Sequence, residues 1–128
     1  MNYSKLTQAI RPLNEVRKLK LPYAKAKQVY KLFKVFESEF SFFQQEEAKL
    51  IETYAVKGED GKPKMDAPGI IIFENIENKN AYLAEMEKLS SSEVDVEIPR
   101  IVLTEEDIGN QIVTPEMLEK LEEIIIFE

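Results

Sequence analysis

The chain of 128 residues is long enough for one domain with its own core, and its 44% hydrophobic and 32% charged residues are typical of a globular protein. It contains neither Cys nor His, which excludes disulfides, thiolate nucleophiles, and the commonest general base and zinc ligand. No apolar run approaches the roughly 18 residues that span a bilayer, and no signal peptide is evident. We therefore expect a single cytoplasmic domain over residues 1–128, without membrane contact.

The formal net charge of −7 is distributed unevenly along the chain. Residues 1–34 carry nine Lys or Arg and one acid, whereas residues 35–128 carry eight basic and 23 acidic residues. A basic first quarter is thus joined to an acidic remainder.

The first predicted helix covers residues 3–20. Its apolar positions recur at spacings of three and four, at Leu6, Ile10, Leu13 and Val16. Pro12 lies inside this pattern, so we expect either a kink or a helix that begins near Pro12. Pro22 predicts a tight corner before the next helix, because proline suits a first helical turn.

The second predicted helix covers residues 22–55 and carries one apolar stripe made of two rows. The rows are Val29, Phe36, Phe43 and Leu50, and Ala26, Phe33, Phe40, Glu47 and Tyr54. At about 1.5 Å per residue such a helix is about 50 Å long, which exceeds the diameter of a compact domain of this size. We expect its stripe to be covered by the first helix in a hairpin, or by a second copy of the chain.

Shorter elements are predicted between residues 56 and 92. Asp60-Gly61 is typical of a two-residue hairpin, and Pro68-Gly69 predicts a second turn. The apolar run at residues 70–73 predicts a buried strand. Residues 75–89 predict a helix with Ile76, Tyr82, Leu83, Met86 and Leu89 on one side.

The last third combines strands with a final helix. Strict alternation at residues 93–98 predicts a half-buried strand that Pro99 ends, and residues 101–103 predict a brief strand. Thr114-Pro115-Glu116 predicts the start of a helix. That helix is expected to bury Met117, Leu118, Leu121, Ile124 and Ile125. The fold class that follows is α+β and mostly α: a long helical hairpin over about residues 1–56, then a small β portion and a C-terminal helix within a mixed part over about residues 57–128.

The crowded phenylalanines allow two interpretations. Burying four Phe side chains contributes about 6 to 12 kcal/mol, as much as the net stability of an ordinary domain. They are either core or a coiled-coil-like interface with another protein or a second copy. Glu47 interrupts the stripe, and Phe42 lies on a second face of the helix. The candidate partner-binding residues are Phe36, Phe40, Phe42, Phe43 and Glu47.

A basic face lies opposite the phenylalanine stripe. Lys27, Lys31 and Lys34 share it, and such a face binds phosphates in a salt-dependent manner. It is also the pattern of an ordinary solvated helix surface. The overall pI of about 4.8 argues against nucleic-acid binding. No catalytic residue, metal site or cofactor is predicted.

Three segments carry a resemblance to known proteins. They are LNEVRKLKLPYAKAKQVYKLFKVFESEF, the segment from Tyr54 through Gly58-Glu59-Asp60-Gly61-Lys62, and TPEMLEKLE. Together they resemble a family of small proteins of tailed phages and prophages of Gram-positive bacteria, whose members have no assigned activity. The resemblance implies a phage-encoded protein of the host cytoplasm or the virion.

Two functions are expected on these grounds. The first is a non-enzymatic interaction or assembly protein, which acts as a homo-oligomer or with another protein through the aromatic helix. The alternative is a nucleic-acid-associated or host-factor-modulating protein that uses the basic N-terminal third.

Overall fold

The computed structural model describes residues 1–67 and 69–128. The predicted turn at Pro68-Gly69 includes a residue outside these ranges. The fold class is α+β and mostly α, as predicted. The chain forms two compact units: unit 1 comprises Met1–Phe40 and Glu93–Glu128, and unit 2 comprises Ser41–Ser92.

The first helix, α1, spans Tyr3–Arg17. The side chain of Asn2 caps its start by accepting a 2.9 Å hydrogen bond from the Lys5 amide. The alternative of a helix that begins near Pro12 was wrong, because α1 is continuous through this buried proline. It ends three residues before the predicted limit.

The second helix, α2, spans Tyr23–Tyr54, close to its predicted bounds, and its residues up to Phe40 belong to unit 1. Besides apolar packing, a hydrogen bond and a cation–π contact join this part of α2 to α1. The Tyr3 hydroxyl donates a 2.7 Å hydrogen bond to the Glu39 carboxylate, and the Arg17 guanidinium lies 4.4 Å from the centre of the Phe33 ring. These contacts join both ends of α1 to α2 and form the predicted helical hairpin.

The core of unit 1 combines the hairpin with the C-terminal segment. Its fully buried large side chains are Leu6, Leu13, Val16, Val29, Leu32, Phe36, Ile101, Leu103, Leu121, Ile124 and Ile125. The apolar face of α1 and one face of α2 thus pack on the last 28 residues of the chain.

A small parallel sheet completes this core. Strand β3 (Ile101–Leu103) pairs with β4 (Ile125–Phe127), and Ile101 is opposite Ile125. Two short helices connect them, α4 (Glu105–Ile108) and α5 (Pro115–Lys120). Each has a threonine N-cap, and Thr104 forms a reciprocal capping box with Asp107.

Two predictions for the C-terminal segment were wrong. The last helix stops at Lys120, and Ile125 lies in β4 because its backbone pairs with β3. Leu118 is 47% exposed rather than buried, since it lies on the outer side of α5.

The predicted strand at residues 93–98 was also wrong. Glu93 forms only an isolated bridge with Asn2, and the Val94 amide donates to the Met1 carbonyl at 2.9 Å. The predicted alternation is only partly kept in burial, because Val94 and Ile98 pack against the core whereas Val96 is 41% exposed. Among the described residues no strand lies beside this segment, so it has no ladder to join.

Unit 2 contains the end of α2, two short strands and a helix. Strand β1 (Met65–Ala67) pairs antiparallel with β2 (Ile70–Ile71). Val56, Lys64 and Ile72 form a ring of backbone hydrogen bonds in which each residue is joined to the other two. The turn around Asp60-Gly61 is longer than the predicted two residues, because the Gly58 amide bonds the Lys62 carbonyl at 2.8 Å.

Helix α3 spans Ile76–Ser91, and Asn75 caps its start. None of its described side chains is fully buried; Ile76 and Leu83 are 65% and 51% exposed. They lie one heptad apart on the outer face, while Tyr82 and Met86 are half-buried on the adjacent face. The prediction that residues 70–73 are buried was wrong as well, since Ile70 is 55% exposed.

Candidate functional site

The phenylalanines of unit 1 belong to its core. Phe36 is fully buried and Phe33 is 8% exposed, while Phe40 is half-buried against the same cluster. A partner at the surface therefore has no access to the Phe36 ring. Of the two interpretations of the apolar stripe, core or interface, the core interpretation therefore applies to Phe33, Phe36 and Phe40.

The remaining candidate residues of the stripe lie in unit 2. Phe43 is 8% exposed, whereas its neighbour Phe42 is 46% exposed. Glu47 is half-buried, and among the described residues no cation lies within ion-pair distance of it. Burial, and secondarily the negative charge of Glu47, raises the pKa of Tyr82, whose ring lies 5.2 Å from that of Phe73.

The outer surface of α2 in unit 1 carries an exposed aromatic and basic face. Tyr23, Lys27, Tyr30, Lys31 and Lys34 are all exposed, and we call them the Tyr–Lys face. Their spacing of four, three, one and three residues places them on one side of a helix with 3.6 residues per turn, over about 16 Å. Tyr23 is 81% exposed and Tyr30 is 55% exposed. The face points away from the core, because Val29, Leu32 and Phe36 lie on the other side of the same helix.

The charges on this face are largely uncompensated. Lys34 lies 3.4 Å from the Glu37 carboxylate and 5.7 Å from the centre of the Tyr30 ring. Neither Lys27 nor Lys31 has an ion-pair partner within the part of the chain that the structure describes. The structure therefore brings the three predicted lysines together as one exposed basic surface.

The two tyrosines were missed in the sequence interpretation, although a signal was present. Both fall outside the apolar stripe, and each has a lysine four residues further along the helix. An aromatic ring at a position where periodicity predicts exposure is the informative observation, because large apolar surface in water is costly.

The other groups of unit 1 with a shifted pKa take part in contacts that hold the fold together. Burial, followed by the hydrogen bond to Glu39, raises the pKa of Tyr3 to about 12. The hydrogen bond between Lys5 and Glu123 raises the pKa of the lysine and lowers that of the carboxyl group. In the described residues no group of three or more acidic side chains is arranged to hold a metal ion.

Comparison with protein-family models, curated proteins and solved structures finds no match to this chain. Within the described ranges, no helix has both the length and the apolar character needed to cross a bilayer.

Proposed function

We propose that this protein is a non-enzymatic interaction protein whose Tyr–Lys face binds single-stranded nucleic acid. The observation that carries the proposal is the exposure of two tyrosine rings among three lysines on one helix face. Proteins that bind single strands without sequence preference combine cationic side chains that follow the backbone with aromatic rings on which bases stack.

Charge supports a polyanionic ligand at this face. Lys27 and Lys31 have no ion-pair partner among the described residues, so they are available to phosphates. At about 3.4 Å per stacked nucleotide, the roughly 16 Å length of the face matches four to five nucleotides. The acidic residues elsewhere in the chain repel phosphates, which restricts binding to this surface.

The tyrosines favour a single strand over a duplex or an acidic protein. Stacking of a base on an aromatic ring contributes about 1 to 3 kcal/mol. Bases inside a duplex are not accessible for stacking on the tyrosine rings. An acidic protein has carboxylates that are attracted to the lysines, but it gains no base stacking. Tyr23 and Tyr30 are seven residues apart, so their rings are two helical turns apart and can stack different bases of one strand.

Fluorescence anisotropy with a labelled oligothymidylate tests this proposal. Tyr30→Ala is expected to weaken binding about tenfold, because the loss of one stacking contact costs about 1 to 3 kcal/mol. The matched control is Ile112→Ala, which truncates an exposed side chain outside α2. Equal affinity of Tyr30→Ala and the wild type, or no binding by the wild type at low salt, would remove the proposal. If the protein bound a duplex of the same length more tightly than the single strand, the Tyr–Lys face would contact phosphates without stacking on bases.

A second candidate function is self-association through unit 2. Phe42, Met65, Ile70, Ile76 and Leu83 are between 46% and 65% exposed, and Phe43 is the large side chain of this unit that is well buried among the described residues. Small units bury a low fraction of their surface and are commonly stabilised by association. A second copy of the chain, which carries the same apolar side chains, would cover them.

Sedimentation analysis of Leu83→Glu tests self-association. Its control is Ile112→Glu, which introduces the same charge at a position of unit 1 that is 79% exposed. A dimer or higher oligomer that dissociates only in Leu83→Glu is the expected result. A monomeric wild type at high concentration would contradict it.

A place in phage assembly is proposed on the resemblance alone. Mass spectrometry of purified virions and of the soluble lysate would show whether the protein is packaged or remains in the host cytoplasm. Its absence from phage-infected cells would exclude this assignment.

A further inference from the structure

The guanidinium group of Arg17, at the end of α1, lies beside the Tyr–Lys face. Its central carbon lies over the Phe33 ring of α2, 4.4 Å from the centre of that ring. At about 100° per residue, Phe33 lies to one side of Tyr30 on α2, whereas the three lysines of the face lie to the other side. The structure therefore adds a cation from α1 on the side of Tyr30 that is opposite to these lysines.

Asn14 fixes the orientation of this guanidinium group. Its Oδ1 atom accepts hydrogen bonds from Nε of Arg17 at 3.1 Å and from Nη2 at 2.8 Å. These two bonds and the contact with Phe33 hold the planar group in place at the surface, where Arg17 is exposed. An arginine has further N–H donors, and within the part of the chain that the structure describes no acceptor is bonded to Nη1. The outer edge of the group, formed by Nη1 and Nη2, is thus open to a ligand.

Among the described residues, no carboxylate forms an ion pair with Arg17. Glu15, the acid two residues before it on α1, pairs with Lys18 at 3.3 Å. Glu37, on the neighbouring part of α2, pairs with Lys34 at 3.4 Å. A guanidinium group does not lose its proton in proteins. The outer edge of Arg17 therefore presents a full positive charge to an anion.

We propose that Arg17 binds, through two N–H···O bonds, a phosphate of the same single strand whose base stacks on Tyr30. This inference rests on the function proposed above for the Tyr–Lys face. A planar guanidinium group matches two oxygens of one phosphate, whereas a lysine ammonium acts as a point charge. The lysines attract the strand along one side of Tyr30, and Arg17 fixes the position of one nucleotide from the other side.

Arg17 also covers the Phe33 ring, which is 8% exposed, and this packing is a structural role. The salt dependence of binding separates the two roles. Each phosphate contacted on a single strand contributes about −0.7 to the slope of the logarithm of the binding constant against the logarithm of salt concentration. Packing against Phe33 releases no counterions and contributes nothing to this slope.

Binding of labelled oligothymidylate by two variants of Arg17, measured across a range of salt concentrations, tests the proposal. Arg17→Gln is expected to weaken binding about tenfold and to reduce the magnitude of the slope by about 0.7, because it removes one phosphate contact. Arg17→Lys keeps the charge and an aliphatic stem over Phe33, so it is expected to keep the slope and to weaken binding about threefold through loss of the paired hydrogen bonds. The control is Arg11→Gln, which removes the same charge from an exposed position on another side of α1 and is expected to bind as the wild type does.

The other outcomes separate this inference from the proposed function. If Tyr30→Ala weakens binding but Arg17→Gln does not, the Arg17 contact is overturned and the function of the Tyr–Lys face stands. A weaker Arg17→Gln with an unchanged slope would mean that Arg17 acts only through Phe33, which also overturns the contact. Equal affinity of Arg17→Lys and the wild type would overturn the paired hydrogen bonds. A wild-type protein that does not bind the oligothymidylate would remove both the contact and the proposed function.

Discussion

The two units of this protein handle apolar side chains in opposite ways. Unit 1 buries Leu6, Leu13, Phe36, Leu103 and Leu121 completely in one cluster. Unit 2 exposes half or more of Met65, Ile70, Ile76 and Leu83, and α3 has no fully buried residue among those described. Buried apolar area is the main source of stability. The stability of the chain is therefore concentrated in unit 1, whereas unit 2 has one well-buried large side chain, Phe43, among the described residues.

The largest expected effect comes from the core of unit 1. Phe36→Ala is expected to lower the free energy of unfolding by about 3 to 5 kcal/mol, through lost burial and the cavity that remains. Chemical denaturation followed by circular dichroism measures this change. A loss below 1 kcal/mol, of the order expected for a surface site, would show that this core does not dominate the stability of the chain.

A pair of tyrosine substitutions compares the units next. Tyr3→Phe in unit 1 is expected to cost about 1.5 to 3 kcal/mol, because it removes a hydrogen bond to the half-buried Glu39 carboxylate. Tyr82→Phe in unit 2 is expected to cost less than about 0.5 kcal/mol, as for most surface-type changes. Equal losses in the two variants would contradict the comparison.

The Tyr3 contact also predicts a pH dependence. The pKa of Tyr3 is about 12 in the folded protein, against an ordinary value of 10.0. Its contribution to the free energy of unfolding is therefore complete below pH 10 and is lost as the pH rises from 10 to 12. The Tyr3→Phe variant should lack this part of the fall in the free energy of unfolding at alkaline pH. Parallel curves of the free energy of unfolding against pH for the wild type and the variant, between pH 10 and 12, would exclude this contribution of Tyr3.

Helix caps give a smaller and more local comparison. Thr104→Ala removes the reciprocal cap of α4 and is expected to lower the global free energy of unfolding by about 1 kcal/mol. Asn75→Ala removes the cap of α3 and is expected to reduce the hydrogen-exchange protection of α3 while leaving the amides of α1 unchanged. Loss of protection in both helices would show that the two units unfold together.

The smallest effect is expected on the outer face of α3. Leu83→Gln should change stability by less than about 0.5 kcal/mol in dilute solution, because the side chain is 51% exposed. If association covers this face, the cost will grow with protein concentration. A large cost that is independent of concentration would mean that Leu83 supports unit 2 itself.

Elements defined by local signals were predictable from the sequence. The absence of Gly and Pro predicted α2 nearly to its ends, and Thr114-Pro115 predicted the start of α5. These signals act within a few residues of one another, so no tertiary information is needed.

Features that depend on distant partners were not predictable. The segment at residues 93–98 has the alternation of a strand but, within the described part of the chain, no neighbouring strand, whereas Ile125 to Phe127 form a strand because β3 lies beside them. The burial of Phe36 and the exposure of Phe42 likewise depend on what packs against each face of α2. The lysines of the Tyr–Lys face were found from periodicity, and its tyrosines were overlooked because they lie outside the apolar stripe on which the aromatic residues were considered.

The salt dependence of oligothymidylate binding tests the central claim most directly. For a single strand, the logarithm of the binding constant falls with the logarithm of salt concentration with a slope of about −0.7 per phosphate contacted. Lys31→Gln is expected to reduce the magnitude of this slope by about 0.7, because it removes one phosphate contact. Lys79→Gln, at an exposed position of α3, should leave the slope unchanged. An identical slope for Lys31→Gln and the wild type would contradict the assignment of nucleic-acid binding to the Tyr–Lys face.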